Sequence, residues 1–204
     1  SYDGVLRYPY SVSSEEGRRI SLQYQRSGRE LGNTEELSEL SAAYQEFLRL
    51  PVESVKHHVL YLRLAGAAAD STQSTAQRSF QIGGIPSELN NYPLRGYPER
   101  SVTGRYIATA TLEYRAPIFY PMYGSGTVPA FIEKLHGALF IDAGEVWDER
   151  IPFRGNNVKV GAGMEARMDV TLGYWMKVTP AIGVAHGFSP GGENQVYLTV
   201  YGDL

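Results

Sequence analysis

The sequence predicts an all-β protein: an antiparallel up-and-down transmembrane β-barrel with eight strands in this chain. Three observations point to this fold class. Segments of about ten residues alternate between polar and apolar side chains, as in strands with one face in lipid. Glycine, proline, asparagine and serine separate these segments. The connections also alternate between short turns and long polar loops, which is the asymmetry of outer-membrane barrels.

The alternating segments supply the eight strands in chain order. In residues 157–170, for example, Val158, Val160 and Met164 share one face, while Lys159 and Glu165 share the other. A period of two places such sets on opposite sides of a strand. The predicted strands are 19–25, 38–49, 57–65, one within 94–118, 135–144, 157–170, 174–184 and 195–201.

Residues 36–50 are locally ambiguous between helix and strand. Good helix formers are frequent there, and Leu37, Leu40, Tyr44 and Leu48 recur at helical spacing. The neighbouring segments favour a strand, because a lone helix would break the up-and-down order. The short run "PAFIEKLHG" has a milder form of the same ambiguity.

The connections favour a membrane barrel over a soluble one. "LPVES" and "TLG" are short, whereas the connection at about residues 68–102 is much longer and is predicted to be an external loop. "FYPMYGSGTVPAF" is longer than the other connections on its side, but its aromatic residues suit a membrane interface. Alternation alone leaves a soluble sandwich or lipocalin-like barrel open, since those strands alternate too. The choice depends on whether the charged face is enclosed.

Length and composition restrict the classes of protein. With 204 residues the chain suits one main domain, and we expect residues 1–16 to be a lead-in or linker from an upstream domain and residues 17–204 to be the barrel. Cysteine is absent, which excludes disulfides and thiolate metal sites. The net charge of −3 gives no reason to expect nucleic acid as a partner. We expect no cofactor and no metal.

A loop arginine and two strand carboxylates form the candidate site. Arg95 lies in the long connection, and Glu113 and Asp142 lie on the polar faces of the next two strands. Two carboxylates facing one interior would give the guanidinium charge-assisted hydrogen bonds, and Gly96 would permit a sharp turn beside it. We therefore expect a lock between loop and barrel wall rather than a catalytic site.

Further charged residues are expected to face the barrel interior. They could line a conducting pore, but in a narrow barrel they would pair in a buried ion network, which needs both signs of charge. The set comprises Arg63, Arg105, Arg115, Lys159, Glu165, Arg167, Asp169 and Lys177.

Three motifs in this order resemble the bacterial surface antigen superfamily of outer-membrane barrels, which includes the assembly barrels of the Bam and Tam machineries and the two-partner secretion transporters. They are Gly83-Gly84 at a strand end, Arg95-Gly96-Tyr97 in the loop, and Phe140-x-Asp142-x-Gly144 in a strand. The resemblance covers most of residues 17–204. It implies that the loop folds back into the barrel and that Arg95, with Gly96 and Tyr97 beside it, meets Glu113 and Asp142.

The resemblance also implies a location and a function. The chain is expected in the bacterial outer membrane, inserting or translocating polypeptides or anchoring such a machine, and not acting as an enzyme. The alternative is a passive anchor with a plugged interior for a periplasmic domain; an enzymatic barrel is disfavoured because no nucleophile is evident. Expected partners are outer-membrane lipid, client outer-membrane proteins and periplasmic modules of the same longer chain, and self-association is left open. Eight strands either close alone or form the C-terminal half of the family's usual sixteen-stranded barrel.

Overall fold

A computed structural model describes most of the chain. The described residues are 1–8, 10–27, 37–51, 56–71, 80–87, 90–124, 126–127, 129–148, 155, 157–173 and 175–202. Across these ranges every regular element is a β-strand. No helix in them has the length and hydropathy needed to cross a membrane.

One large antiparallel sheet contains ten of the twelve strands, and the remaining two form a small hairpin. The strands are β1 (Tyr2–Asp3), β2 (Gly17–Ser27), β3 (Leu37–Arg49), β4 (Val59–Ser71), β5 (Phe80–Ile82), β6 (Val102–Gly104), β7 (Tyr106–Phe119), β8 (Tyr123–Gly124), β9 (Ala130–Trp147), β10 (Lys159–Leu172), β11 (Met176–Gly187) and β12 (Asn194–Tyr201).

The large sheet confirms the predicted up-and-down order of eight long strands. Its order is β1-β2-β3-β4-β7-β9-β10-β11-β12, and the short β8 pairs with β9. Every pairing is antiparallel. Within the described part of the chain, no pairing joins β2 to β12. The second edge of β12 therefore has no strand on it, and the outer edge of β2 pairs only in part, with β1.

The contested segment forms a strand, as its neighbours favoured. β3 pairs with β4 along its whole length and with β2 from Leu37 to Phe47. The run "PAFIEKLHG" also lies in a strand, because it belongs to the first half of β9. Cross-strand pairing therefore outweighs the helical propensity of both segments.

The two faces of the sheet differ in chemistry. On the outer face large apolar side chains are exposed, such as Leu22 on β2, Ile141 on β9 and Leu198 on β12. On the inner face charged side chains are buried, including Glu113, Asp142 and Arg167. This arrangement is inverted relative to a soluble protein and fits a sheet whose outer face meets lipid. The enclosed charged face settles the choice left open by alternation.

The long connection between β4 and β7 folds onto the inner face. It begins later than predicted, since β4 continues to Ser71, and it contains the β5–β6 hairpin. Ile82, Leu94, Tyr97 and Ile107 form a buried apolar cluster beneath it. Residues 72–79 and 88–89 lie outside the described part of this connection.

Candidate functional site: a buried arginine between loop and sheet

Two glycines shape the loop that carries Arg95. Gly83 and Gly84 follow β5 with positive φ angles of 126° and 73°, a region that glycine occupies without steric cost. Beyond this turn, the Gly84 N–H donates to the Tyr97 carbonyl at 3.0 Å and the Leu94 N–H donates to the Gly84 carbonyl at 3.2 Å. These two bonds hold Gly84 next to Leu94–Tyr97, the stretch that contains Arg95.

Arg95 is almost completely buried and contacts three carboxylates. Its Nε and Nη2 donate to the two oxygens of Asp142 at 2.7 and 2.8 Å, a bidentate arrangement. Its Nη1 donates to Glu113 Oε1 and to Glu165 Oε1, each at 2.9 Å. The guanidinium carbon also lies 3.4 Å from the centroid of the Phe140 ring. Strands β7, β9 and β10 thus each supply one acid to the same loop residue.

Two further arginines complete the group, which we call the Arg95 cluster: Arg95, Arg115, Arg167, Glu113, Asp142 and Glu165. Arg115 Nη2 lies 2.8 Å from Glu113 Oε2, and Arg167 Nη2 lies 2.7 Å from Glu165 Oε2. The cluster has three positive and three negative groups, so its formal charge is zero. Burial of charge is tolerable here because every charged group has an opposite partner.

Two tyrosines of β12 extend the cluster toward the sheet edge. Tyr197 donates its hydroxyl to Glu165 Oε1 at 2.6 Å, and Tyr201 donates to Glu165 Oε2 at 3.1 Å. These bonds satisfy the remaining acceptor positions of a buried carboxylate. They also connect the last strand to the loop through Glu165.

Gly96 and Tyr97 attach the loop to β10, β12 and the connection between β11 and β12. The Gly96 N–H donates to the side chain of Gln195 at 2.9 Å. The Tyr97 hydroxyl donates to the Val160 carbonyl at 3.0 Å and accepts from the Ser189 N–H at 2.9 Å. The Arg-Gly-Tyr motif therefore uses all three of its residues in contacts with the sheet or its connections.

Glycines in the sheet make room for this close approach. A Cβ atom at Gly161 would lie 2.0 Å from the Arg95 carbonyl oxygen, and one at Gly144 would lie 2.3 Å from the Ile82 side chain. Gly96 itself has a φ of +87°, and a Cβ there would lie 2.6 Å from the Gly187 nitrogen. At Gly161 and Gly96 the nearest atoms are backbone atoms, so a side chain there would separate the loop from its neighbours, whereas at Gly144 the Ile82 side chain would have to shift.

The structure brings together Arg95, Glu113 and Asp142, the three residues of the expected lock. Of the other charged residues expected inside, Arg115, Glu165, Arg167 and Asp169 are buried on the inner face.

Of the other four charged residues, Arg63 lies within β4, and Lys159, Arg105 and Lys177 lie near the ends of strands. Lys159 is half-buried and donates to the Pro190 carbonyl at 2.6 Å, and Arg63 donates to the Asn91 carbonyl at 2.8 Å. Arg105 lies between β6 and β7 and is half-buried, while Lys177 is exposed near the start of β11.

Sequence reasoning missed several partners of the loop. Glu165 was expected inside but not as a ligand of Arg95, and Tyr197 and Gln195 had no expected role. The alternating pattern of β10 contains the signal for Glu165, because it places this carboxylate on the charged face. Its contact with Arg95 also requires the register in which Glu165 pairs with Ala138 of β9, which the sequence alone does not show.

The cluster suits binding and holding rather than reaction. Burial disfavours the charged form of Arg95, but the attraction of Asp142, Glu113 and Glu165 outweighs it and keeps the pKa of Arg95 well above its ordinary value. Each carboxylate of the cluster is engaged by arginine, so none is free to act as a base toward a substrate. Among the described residues, no group of three or more His, Cys, Asp or Glu side chains is arranged so that it could hold a metal ion.

Comparison with known families agrees with this architecture. A family model described as the Omp85 superfamily domain matches residues 10–183. That range contains the long loop, all six members of the Arg95 cluster and most of the sheet. A search of curated proteins finds no match.

Proposed function

Because this chain belongs to the Omp85 superfamily, whose members are outer-membrane barrels that assemble or translocate proteins, we propose that it inserts or translocates polypeptides at the bacterial outer membrane. The free edge of β12 is the observation that carries this proposal. In the described part of the chain β12 pairs only with β11, over Thr179–His186 and Asn194–Tyr201. A strand edge inside a membrane presents unpaired N–H and C=O groups, which a client strand can satisfy by β-augmentation.

The outer face of β12 suits such a client. Val196, Leu198 and Val200 are 77%, 77% and 63% exposed, so this strand offers an apolar surface beside its free edge. On the inner face Tyr197 and Tyr201 are tied to Glu165. We propose that the Arg95 cluster is the lock that keeps the last strand in place while its edge accepts a client strand.

Cysteine crosslinking tests this proposal, since the chain has no cysteine of its own. Val196→Cys places a thiol on β12, and Val184→Cys places one directly across the strand pair on β11, which is paired on both sides. A client barrel protein with one cysteine in its C-terminal strand should form a disulfide with Val196→Cys and several-fold less with Val184→Cys. Equal yields at the two positions, or no disulfide at either, would reject β12 as the client site.

A passive anchor is the second candidate function. It is favoured by the inner face itself, where the loop and a neutral cluster of six charged residues occupy the interior beside β7, β9 and β10. An anchor would show no single-channel conductance in planar bilayers and no client crosslink at Val196→Cys. A crosslink at Val196→Cys would exclude it.

A further inference from the structure

In the segment Tyr10–Glu15, Tyr10 is exposed but the five residues Ser11–Glu15 are buried, although four of them are polar. Ser11, Val12, Ser13 and Glu15 are each no more than 2% exposed, in the stretch 1–16 that the sequence led us to expect as a lead-in or linker. The segment lies at the end of the sheet where β3 ends and β4 and β9 begin. This is the end with short turns, opposite to the end from which the Arg95 loop enters.

One attachment of this segment is to the inner face of β9. The Lys134 ammonium donates to the Ser11 carbonyl and lies 3.1 Å from Asp169 Oδ2. Asp169 in turn accepts from Thr179 at 2.9 Å and contacts His136 Nε2 at 3.1 Å. A buried lysine between a backbone carbonyl and a well-fixed carboxylate holds the segment against β9, β10 and β11.

Glu15 and Tyr10 make a second set of contacts, with residues outside β9. Glu15 accepts from the Ser11 hydroxyl at 2.6 Å, and its Oε1 lies 2.6 Å from His57 Nδ1 in the turn before β4. Arg49 at the end of β3 lies 3.6 Å from Glu15 Oε2. The Tyr120 hydroxyl also donates to the Tyr10 carbonyl at 3.0 Å. The segment is therefore bonded to residues from β3, β9 and the turns around β4 and β7, so it bridges the mouth of the interior.

We propose that residues 10–15 form a latch that closes the short-turn mouth of the barrel interior, and that Lys134 is its main tether. The latch and the Arg95 loop then fill the interior from opposite ends. Release of the Lys134 bond to Ser11 leaves Asp169 with Lys134, His136 and Thr179 as partners, so the wall stays intact while the segment leaves. Solutes and polypeptide reach the interior from this end only after that release.

The experiment uses single cysteines in the full chain, reconstituted in micelles and treated with a polar maleimide. Ser13→Cys reports on the latch and Ala181→Cys on the inner face behind it, since Ala181 is buried two residues beyond Thr179 on β11. Thr127→Cys, exposed in the turn before β9, is the matched control at the same end. With Lys134 present, Ser13→Cys and Ala181→Cys should react about tenfold or more slowly than Thr127→Cys, because a buried thiol reacts only through local opening.

The Lys134→Met change should increase labelling of Ser13→Cys and Ala181→Cys at least several-fold and leave Thr127→Cys unchanged. Heat-modifiable gel migration checks that this variant folds. If it does not fold, Tyr120→Phe decides, since it removes only the hydrogen bond to Tyr10 and should produce a smaller increase at Ser13→Cys. Fast labelling of Ser13→Cys in the parent background, or no increase in the folded variant tested, would overturn the latch.

Discussion

Arg95 illustrates how one loop residue can organise a barrel interior. Its guanidinium has five N–H donors in a planar fork, and the three carboxylates around it come from three neighbouring strands. Lysine could not reproduce this geometry, because an ammonium is a point charge without a bidentate fork. The stacking of the guanidinium on Phe140 adds a contact that is specific to arginine in this setting.

Removal of the Arg95 side chain should release the long loop. Arg95→Ala leaves Asp142 without its bidentate partner, and breaking a buried ion pair costs about 3–5 kcal/mol. We expect increased protease cleavage between Ala68 and Val102, measured by mass spectrometry of fragments from folded protein. Arg95→Lys should have an intermediate effect.

Arg18→Ala is the control for Arg95→Ala, because Arg18 is an exposed arginine that pairs with Glu46 at 3.8 Å. Cleavage of Arg95→Ala at the rate of Arg18→Ala would mean that the cluster does not hold the loop.

The close approach of the loop to β10 at Gly161 should be needed to hold the loop, as the charge of Arg95 is. In Gly161→Ala the new methyl group would lie 2.0 Å from the Arg95 carbonyl, so the loop backbone must move away from β10. Overpacking of this kind costs about 1–3 kcal/mol, and we expect a lower temperature for the heat-modifiable gel shift together with faster loop cleavage.

Gly137→Ala is the matched control on β9. Its nearest contact would be the flexible end of Ile118 at 3.4 Å, an ordinary van der Waals distance. A Gly161→Ala protein as stable as Gly137→Ala would show that the loop does not need this close approach.

At the scale of single elements, alternation predicts strands well where one face is polar. The eight long strands lie where the pattern places them, because lipid outside and charge inside impose a period of two. β3 was ambiguous because propensity is local, whereas its pairing with β2 and β4 is not. Element ends were less accurate: β4 begins at Val59 rather than at 57, since residues 56–57 form a turn in which His57 has a φ of 62°.

The alternating pattern did not predict all the contacts of the Arg95 loop or the burial of the segment before β2. The Arg-Gly-Tyr motif predicted contact with Glu113 and Asp142, but Glu165, Tyr197 and Gln195 joined only through tertiary register. Residues 11–15 are mostly polar and do not alternate, and the sequence predicted only a lead-in or linker over residues 1–16. Their burial depends on partners such as Lys134 and His57, which lie far away along the chain.

A charged side chain on the outer face of the central strands should destabilise the protein, and the loss of stability should depend on its depth in the bilayer. Ile141 on β9 is 52% exposed, is flanked by Leu112 and Ala162 and lies on the lipid side. Ile141→Arg should destabilise the protein in bilayers by about 2–4 kcal/mol, the range for arginine near the membrane midplane. Denaturant titration in lipid vesicles measures this loss.

An arginine in the turn between β10 and β11 is the control for Ile141→Arg. Trp175 is 81% exposed outside the strands, so Trp175→Arg should cost only about 0–1 kcal/mol, as expected near an interface. Equal losses for the two arginine variants would contradict the assignment of the outer face of β9 to lipid.

For the whole molecule, the interior is filled while the sheet remains open at its edges. The Arg95 loop enters from the end with long connections and residues 10–15 cover the other end, so both insertions pack on the same inner face. The outer edge of β2 is covered in part, by the two residues of β1 and by the Gly4 N–H, which donates to the Arg18 carbonyl; that of β12 carries none of the described strands. Hydrocarbon does not tolerate unpaired backbone groups, so these edges determine what else the protein must bind in a membrane.

Hydrogen exchange of backbone amides measures whether the β12 edge is free. In micelles, the amides of β12 that point away from β11 have no partner in the described sheet, so every second amide from Asn194 to Tyr201 should exchange quickly. All amides of β11 from Ala181 to Ala185 should exchange slowly in the same sample, because β10 and β12 both pair with this part of the strand. Addition of a client strand peptide should slow the fast set on β12 and leave β11 unchanged. Uniformly slow exchange along β12 without any peptide would mean that the edge is already paired, and client capture at that edge would then require displacement of the strand that pairs with it.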